Sequence, residues 1–414
     1  MLPRSYLARE SGFLIALLAL LTAVGPISTD MYLPAFPAIR HDLQARAGAA
    51  QYTLAAWFIG LAIGQITHGP VSDHYGRRAP LLLGTALYTI ASIGCALAGS
   101  ITTLSCWRLV AAFGGAASLV IPRAVIRDLV IDGIGAARLL GRLTLVVGVV
   151  PILAPTLGGL IAQNFGWRVI FWVAALYGCA CTALIWRYLP DTLAPELHVV
   201  LRILPVLVRY NKVWRDGVFR THALEGGFGT FSLFAFLGGA PSVFLGGFHL
   251  RPTLFGSVFI LNATGYIIGT QLNARAIPRF GSNRVLSGSA LGLVLATCCM
   301  LALALTGAGG ALGIAVAMMG CMVALGFLLP GAAIGSMLPH STRAGSASAL
   351  YGTVVFFVGA ISTILVGEFG GPSPLPMAWL MLAGALGAAA CDLARPKELF
   401  LGGRVPKADL ATGD

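Results

Sequence analysis

The sequence predicts an all-α polytopic membrane protein, and three observations predict it. Of its 414 residues, 57% are hydrophobic and only 10% are charged, against about a quarter charged in soluble domains. Mean hydropathy is +0.86, and a soluble body of this size has too little interior to hide so much apolar side chain. The apolar residues also gather into runs of about 20, the length that crosses a hydrocarbon core of about 30 Å. The 53 glycines agree, because small residues let membrane helices approach closely.

Twelve such runs follow in order: 12–34, 50–69, 80–99, 102–124, 139–162, 167–187, 218–243, 254–274, 285–306, 310–335, 345–368 and 374–394. The first reads as an uncleaved span, since a secretory leader does not account for the later runs. If the N-terminus is cytoplasmic, all but five of the 27 Lys and Arg residues face the same compartment; the exceptions are Arg40, Arg46, Arg108, Arg168 and Arg251. That bias places both termini inside the cell. The net charge of +12 is therefore a topology signal and not a nucleic-acid footprint. The eight cysteines lie mostly within the runs and lack metal-ligand spacing, so they read as packing residues, with no metal.

The longest break, 188–217, divides the chain. The expected units are 1–187, a first six-helix bundle; 188–217, a cytoplasmic central loop; 218–394, a second six-helix bundle; and 395–414, a cytoplasmic tail. Within the loop, Leu197, Val200, Leu201, Leu204 and Leu207 suggest a surface helix over Leu197–Val208. Pro205 argues against it, and a plain linker is the other reading. Basic turns stand at matching places in the two halves, Asp73 to Arg78 and Arg279 to Arg284. This is a faint parallel repeat, as in two-bundle transporters.

Several stretches carry more than topology. After the second run comes Gly64-Gln65-Ile66-Thr67-His68-Gly69-Pro70-Val71-Ser72-Asp73-His74-Tyr75-Gly76-Arg77-Arg78. Its glycines suit a tight turn, and its acid and arginines can pair across the mouth of a bundle. The fifth run holds Gly148, Pro151, Pro155, Gly158 and Gly159, a pattern that bends a helix and lets it pack closely. The first run ends in Ser28-Thr29-Asp30-Met31-Tyr32-Leu33-Pro34, and the fourth in Arg123-Ala124-Val125-Ile126-Arg127-Asp128.

The glycine-rich turn resembles the signature loop of the major facilitator superfamily, and the fifth run looks like the motif of its antiporters. The first run narrows the match. It is similar to the twelve-span drug/proton antiporters of the bicyclomycin and chloramphenicol resistance group. Agreement extends to Gly345–Gly352 and to Phe236–Pro241 with Phe255, Gly256 and Asn262, so that residues 10 to 392 are covered. The resemblance implies the major facilitator fold, with twelve transmembrane helices in two six-helix bundles. It implies a gating role for Gly69, Asp73, Gly76, Arg77, Arg78, Arg127 and Asp128. It also implies a substrate cavity drawing on Tyr32, Trp57, Phe58, Asn262, Tyr266 and Tyr351. The chain departs from the group's pattern at His74, where arginine is usual, and at Ala111 and Val355, where glutamine is common.

Two charges stand inside apolar runs at similar expected heights: Asp30, about 18 residues into a span running outward, and Arg108, a turn or two past the outer end of the fourth. Each costs about 2.5–3.5 kcal/mol if exposed to lipid, so each is expected to face a polar crevice and the other. Burial favours a protonated carboxyl and a neighbouring guanidinium favours an ionised one. Arginine does not release its proton at ordinary pH. Asp30 is therefore the expected proton carrier, with Arg108 biasing it; the alternatives are a wet helix end and an interfacial anchor. Glu225, in the seventh run, is an auxiliary proton-coupling acid or an attractor of cationic substrates, or else it caps a partner helix or pairs with a loop arginine.

The reading that results is a proton-coupled multidrug efflux antiporter in the bacterial cell inner membrane. Its expected partners are protons, a small-molecule substrate and the lipid bilayer, with no nucleic acid and a monomeric state. It is expected not to be an enzyme and to need no cofactor; no Gly-x-x-x-x-Gly-Lys-Ser/Thr is present to bind a nucleotide. Export of a native metabolite uses the same machinery and is the alternative. A passive channel is opposed by the buried charges and by the paired basic turns.

Overall fold

The structure is a computed structural model, and it describes residues 11–129, 150, 153–194, 196 and 198–396. The described residues fold into helices and turns, with no strand among them. Ten helices among the described residues are long and apolar enough to cross a membrane. Another, Pro252–Phe280, has the length at 29 residues. Of the fifth predicted run, residues 153–165 are helical, while Gly148 and Pro151 lie outside the described residues.

The first span is α1 (Ser11–Thr22), α2 (Val24–Asp30), a short 3-10 turn (Leu33–Ala35) and α3 (Phe36–Asp42). It runs nearly continuously from Ala16 to Asp42, well past the expected end at residue 34. Pro34 and Pro37 do not end it, because each sits in the first turn of a new helical segment, where no backbone donor is lost. The consequence is functional: Asp30 stands 12 residues before the outer end of the span, where a run ending at residue 34 leaves only four.

Then follow α4 (Ala49–Tyr75), α5 (Arg78–Ala96), α6 (Ile101–Leu129), α7 (153–165) and α8 (Arg168–Tyr188). Packing joins α4 to α6, and α5 to α6 and α8. The later helices are α10 (Gly217–Ala240), α11 (Pro252–Phe280), α12 (Ser282–Thr306), α13 (Gly310–Met337), α14 (Ala344–Phe369) and α15 (Leu375–Leu393). Here α10 packs on α13, α14 and α15, while α13 packs on α11 and α12. The two sets meet chiefly along α4 and α14, and α10 lies behind α14.

Between the sets lies α9 (Ile203–Arg215), the surface helix, shifted toward the C-terminus from its expected place. Pro205 is its third residue, within the turn whose donors have no helical acceptor, so it does not break the helix. Its polar anchor follows from a second proline. Pro70 inside α4 has no N–H, which leaves the carbonyl of Ile66 free. The Tyr210 hydroxyl donates to that carbonyl at 2.9 Å. Burial pushes the Tyr210 phenol up to about 12, so it remains a donor. The opposite face of α9 exposes Ile203, Leu204, Leu207 and Val208.

Candidate functional site

Asp30 closes α2, is 6% exposed, and forms no ion pair among the described residues. Arg108 on α6 is 1% exposed. The two are not the facing pair that the sequence suggests. Arg108 instead donates from Nη1 to the carbonyl oxygen of Ser28 at 2.8 Å. Its guanidinium lies over the rings of Tyr32, Trp57 and Phe171, at 4.5, 4.6 and 5.8 Å from their centroids. The rings supply a negative face where water would otherwise solvate the charge, a term of about 2 kcal/mol when desolvated. Arg108 thus grips the backbone of α2 two residues before the acid.

Neighbouring polar groups fix this cage. The Ser28 and Tyr88 hydroxyls are bonded at 2.6 Å. Tyr32 bonds to Thr53, whose own hydroxyl donates to the Ala50 carbonyl at 2.7 Å. Among the described residues, Nε and Nη2 of Arg108 have no partner. A void of about 10 Å³ adjoins Arg108, Ser28 and Tyr88, room for about one water. Neither Tyr88 nor Phe171 is flagged by sequence pattern, because an aromatic in a membrane helix carries no mark of what it covers.

Residues 153–165 approach the same place. A Cβ added to Gly158 would collide with the backbone of Met31, next to Asp30. Pro155 and Gly159 are buried beside it. Thr156, on the same helix, packs against Gly256 of α11. Of the predicted motif in the fifth run, then, the described part packs directly on the helix that carries the acid.

The basic turn is a network. Arg77 donates through Nε to Asp128 at 2.8 Å, and through Nη1 to Asp73 at 2.5 Å and Ser72 at 2.9 Å. Burial opposes the Arg77 charge, but the bonds to Asp128 and Asp73 outweigh it and hold its pKa above the ordinary value. Gly76 has φ +82°, and a Cβ there would strike the carboxylate of Asp191, which accepts from Arg77 N at 2.9 Å. Arg78 bonds to the Trp186 carbonyl at 2.6 Å. His74 Nδ1 accepts from Leu201 N at 3.2 Å and lies 2.9 Å from the Val199 carbonyl oxygen. So His74, where arginine is usual, touches the 199–201 backbone and no acid. Gly69 is inside α4 with open space around it, so it does not form the turn. The side chain of Arg127 lies outside the described residues.

Glu225 on α10 is 0% exposed, and it is not brought together with Asp30 and Arg108. Arg395, just past α15, donates to it at 2.8 Å and also bonds to Asp392. Of the expected cavity residues, Tyr32 and Trp57 belong to the Arg108 cage. Phe58 stacks on Phe234 with centroids 3.7 Å apart, and Phe356 joins them, all at the meeting of the two sets. Asn262 donates to the Val258 carbonyl at 2.8 Å and leaves its own oxygen unpartnered. Tyr266 is half-buried on α11, where its backbone faces Gly326 of α13, and Tyr351 on α14 lies against Gly226, beside Glu225.

At the face opposite the basic turns the two sets are fastened together. Gln51 donates to the Gly238 carbonyl at 3.1 Å and to Ser242 at 3.3 Å. Arg46 pairs with Glu368 at 3.2 Å, and Tyr52 bonds to the same carboxylate.

Long apolar helices in two interlocked sets, with charges caged inside the bilayer, define a multi-pass membrane transporter, and such carriers are not enzymes. The chain belongs to the Major Facilitator Superfamily, whose model matches residues 18–363. It is 33% identical over 384 residues to an uncharacterized MFS-type transporter, YdgK, of Bacillus subtilis, covering 91% of this chain and 94% of the relative. It is 29% identical to a bicyclomycin resistance protein homolog of Haemophilus influenzae, covering 90% and 94%. A chloramphenicol resistance protein of Pseudomonas aeruginosa is 31% identical, covering 70% and 68%. Among solved structures, a D-xylose-proton symporter superposes with a TM-score of 0.70 at 17% identity, covering 91% of this chain and 97% of that one. A bacterial homolog of the human lysosomal transporter Spinster, inward-facing and occupied, gives 0.71 at 15% identity, covering 93% and 96%. At these identities the structures speak for the fold.

Proposed function

We propose that this transporter exports small amphipathic compounds, antibiotics among them, in exchange for protons across the bacterial inner membrane. Units 1–187 and 218–394 rock about the crevice between them, joined by the segment 188–217, with both termini cytoplasmic. Asp30 carries the proton. Arg108 is a positioning residue: it holds the Ser28 carbonyl and so fixes how the acid stands in the crevice. Glu225, engaged by Arg395, is a structural partner and not a proton carrier. The Arg77 network steadies the cytoplasmic ends of α4 and α6, and the contacts of Gln51 and Glu368 close the outer side. The names of the resistance relatives support the substrate class.

The observation that carries this reading is the placement of Asp30, nearly buried and 12 residues inside the outer end of its span, with no cation paired to it among the described residues. A charge moved through 100 mV yields about 2.3 kcal/mol, and one pH unit adds about 1.4 kcal/mol. One proton thus supports accumulation of several hundredfold. The test is transport of ethidium and chloramphenicol in proteoliposomes under an imposed pH gradient, wild type against Asp30→Asn. Loss of gradient-driven accumulation in the variant is expected. Unchanged accumulation with unchanged proton dependence refutes the assignment.

A further inference from the structure

The second basic turn, Arg279 to Arg284, plays no part in the site described above. In the first turn Arg77 is neutralised by Asp73 and Asp128. In the second turn no acid is present. Among the described residues, none of Arg275, Arg279 and Arg284 forms an ion pair. All three are exposed.

Beside this turn α11, α12 and α13 leave a groove of about 520 Å³, within the range of about 300–1,000 Å³ that holds small molecules. Gly288 and Gly292 of α12 and Gly320 of α13 form its floor, with Phe280 and Phe327 adding apolar wall. Arg284 is the one charged residue in the lining. The glycines are not explained by close packing. A Cβ at Gly288 would meet nothing within 4 Å, and those at Gly292 and Gly320 would find only Ala324 at 4.0 Å and Ala296 at 3.8 Å. Gly158 is the contrast, since a Cβ there would collide with backbone. The missing side chains at the groove therefore leave room for something other than the protein.

From Arg284 to Gly292 the groove descends about 12 Å along α12, into the depth of acyl chains. Its charged end lies with the basic turns, at the height of lipid headgroups. A guanidinium binds phosphate through paired donors. We propose that the groove holds one acyl chain of an anionic phospholipid, whose headgroup phosphate is bound by Arg284 with Arg279 beside it. The occupant is a lipid because the groove is apolar along its length and cationic at its end.

Native mass spectrometry of the full-length protein tests this, with phosphatidylglycerol and phosphatidylcholine of identical chains as probes. Wild type should retain phosphatidylglycerol in preference. Arg284→Gln should lower that retention about fivefold, the weight of one basic residue at an anionic surface, and lower phosphatidylcholine by less, because the choline cation offsets its phosphate. Gly288→Leu, whose side chain enters open space, should lower retention of both lipids. Arg343→Gln, an exposed arginine outside the groove, is the control and should change neither. Equal retention of the two lipids by wild type overturns the anionic preference. Unchanged phosphatidylglycerol in Arg284→Gln removes the headgroup assignment, and unchanged retention of both lipids in a monodisperse Gly288→Leu removes the groove.

Discussion

Removal of the Arg395 side chain is expected to be among the costliest single changes outside the transport crevice. The guanidinium is 6% exposed and donates at 2.8 Å to Glu225, whose side chain is 0% exposed. It also holds Asp392, 12% exposed. Arg395→Ala leaves two acids together without a cation. Breaking a buried pair on one side costs about 3–5 kcal/mol, because the surviving charge is stranded. Burial on both sides leaves little room for solvent screening to reduce this figure. Removing both charges strands nothing at Glu225, so Glu225→Gln with Arg395→Gln should sit within about 1 kcal/mol of wild type. The assay is equilibrium unfolding in mixed micelles by dodecyl sulfate titration, run as a double-mutant cycle. An Arg395→Ala variant within about 0.5 kcal/mol of wild type refutes the pairing argument. A double variant less stable than either single variant does the same. The double variant should also retain pH-driven transport; loss of coupling there would restore Glu225 as a proton-coupling acid.

Three further outcomes follow from the same geometry. Arg77→Ala should lower unfolding stability by about 2–3 kcal/mol, the buried bond to Asp128 counting more than the bond to the half-exposed Asp73; the same titration measures it, and a neutral result removes the network's anchoring role. Gly158→Leu should abolish transport while leaving surface expression measurable, because the new side chain drives into the Met31 backbone beside Asp30; normal efflux would show that the helix has room to retreat. Arg108→Lys keeps the charge but loses the planar group that lies between Tyr32 and Trp57 and reaches the Ser28 carbonyl. Efflux should fall at least tenfold, and wild-type activity would reduce Arg108 to a bare charge.

Much of this architecture is legible from composition alone, because lipid leaves a helix few alternatives. The site is legible only in part. Asp30 and Arg108 stand out as charges in apolar runs, yet their relation does not. Arg108 meets one backbone carbonyl and three aromatic rings, and neither kind of partner leaves a trace in sequence. The distance of Asp30 from the outer end is underestimated because the apolar run breaks at residue 34, whereas the segments that hold Pro34 and Pro37 carry the helix on to Asp42. Arg395 is invisible as the partner of Glu225 across 170 positions of chain. Pro205 misleads about α9 because a proline tells where a donor is missing, not whether a donor is needed there.

Proton release on substrate binding tests the exchange at Asp30 most directly. Purified protein in weakly buffered detergent is mixed with ethidium, and the pH of the medium is followed with an indicator dye. Wild type should release protons in proportion to ethidium bound, while Asp30→Asn binds ethidium and releases none. Equal release from both proteins would place the exchanged proton on another group and contradict the account.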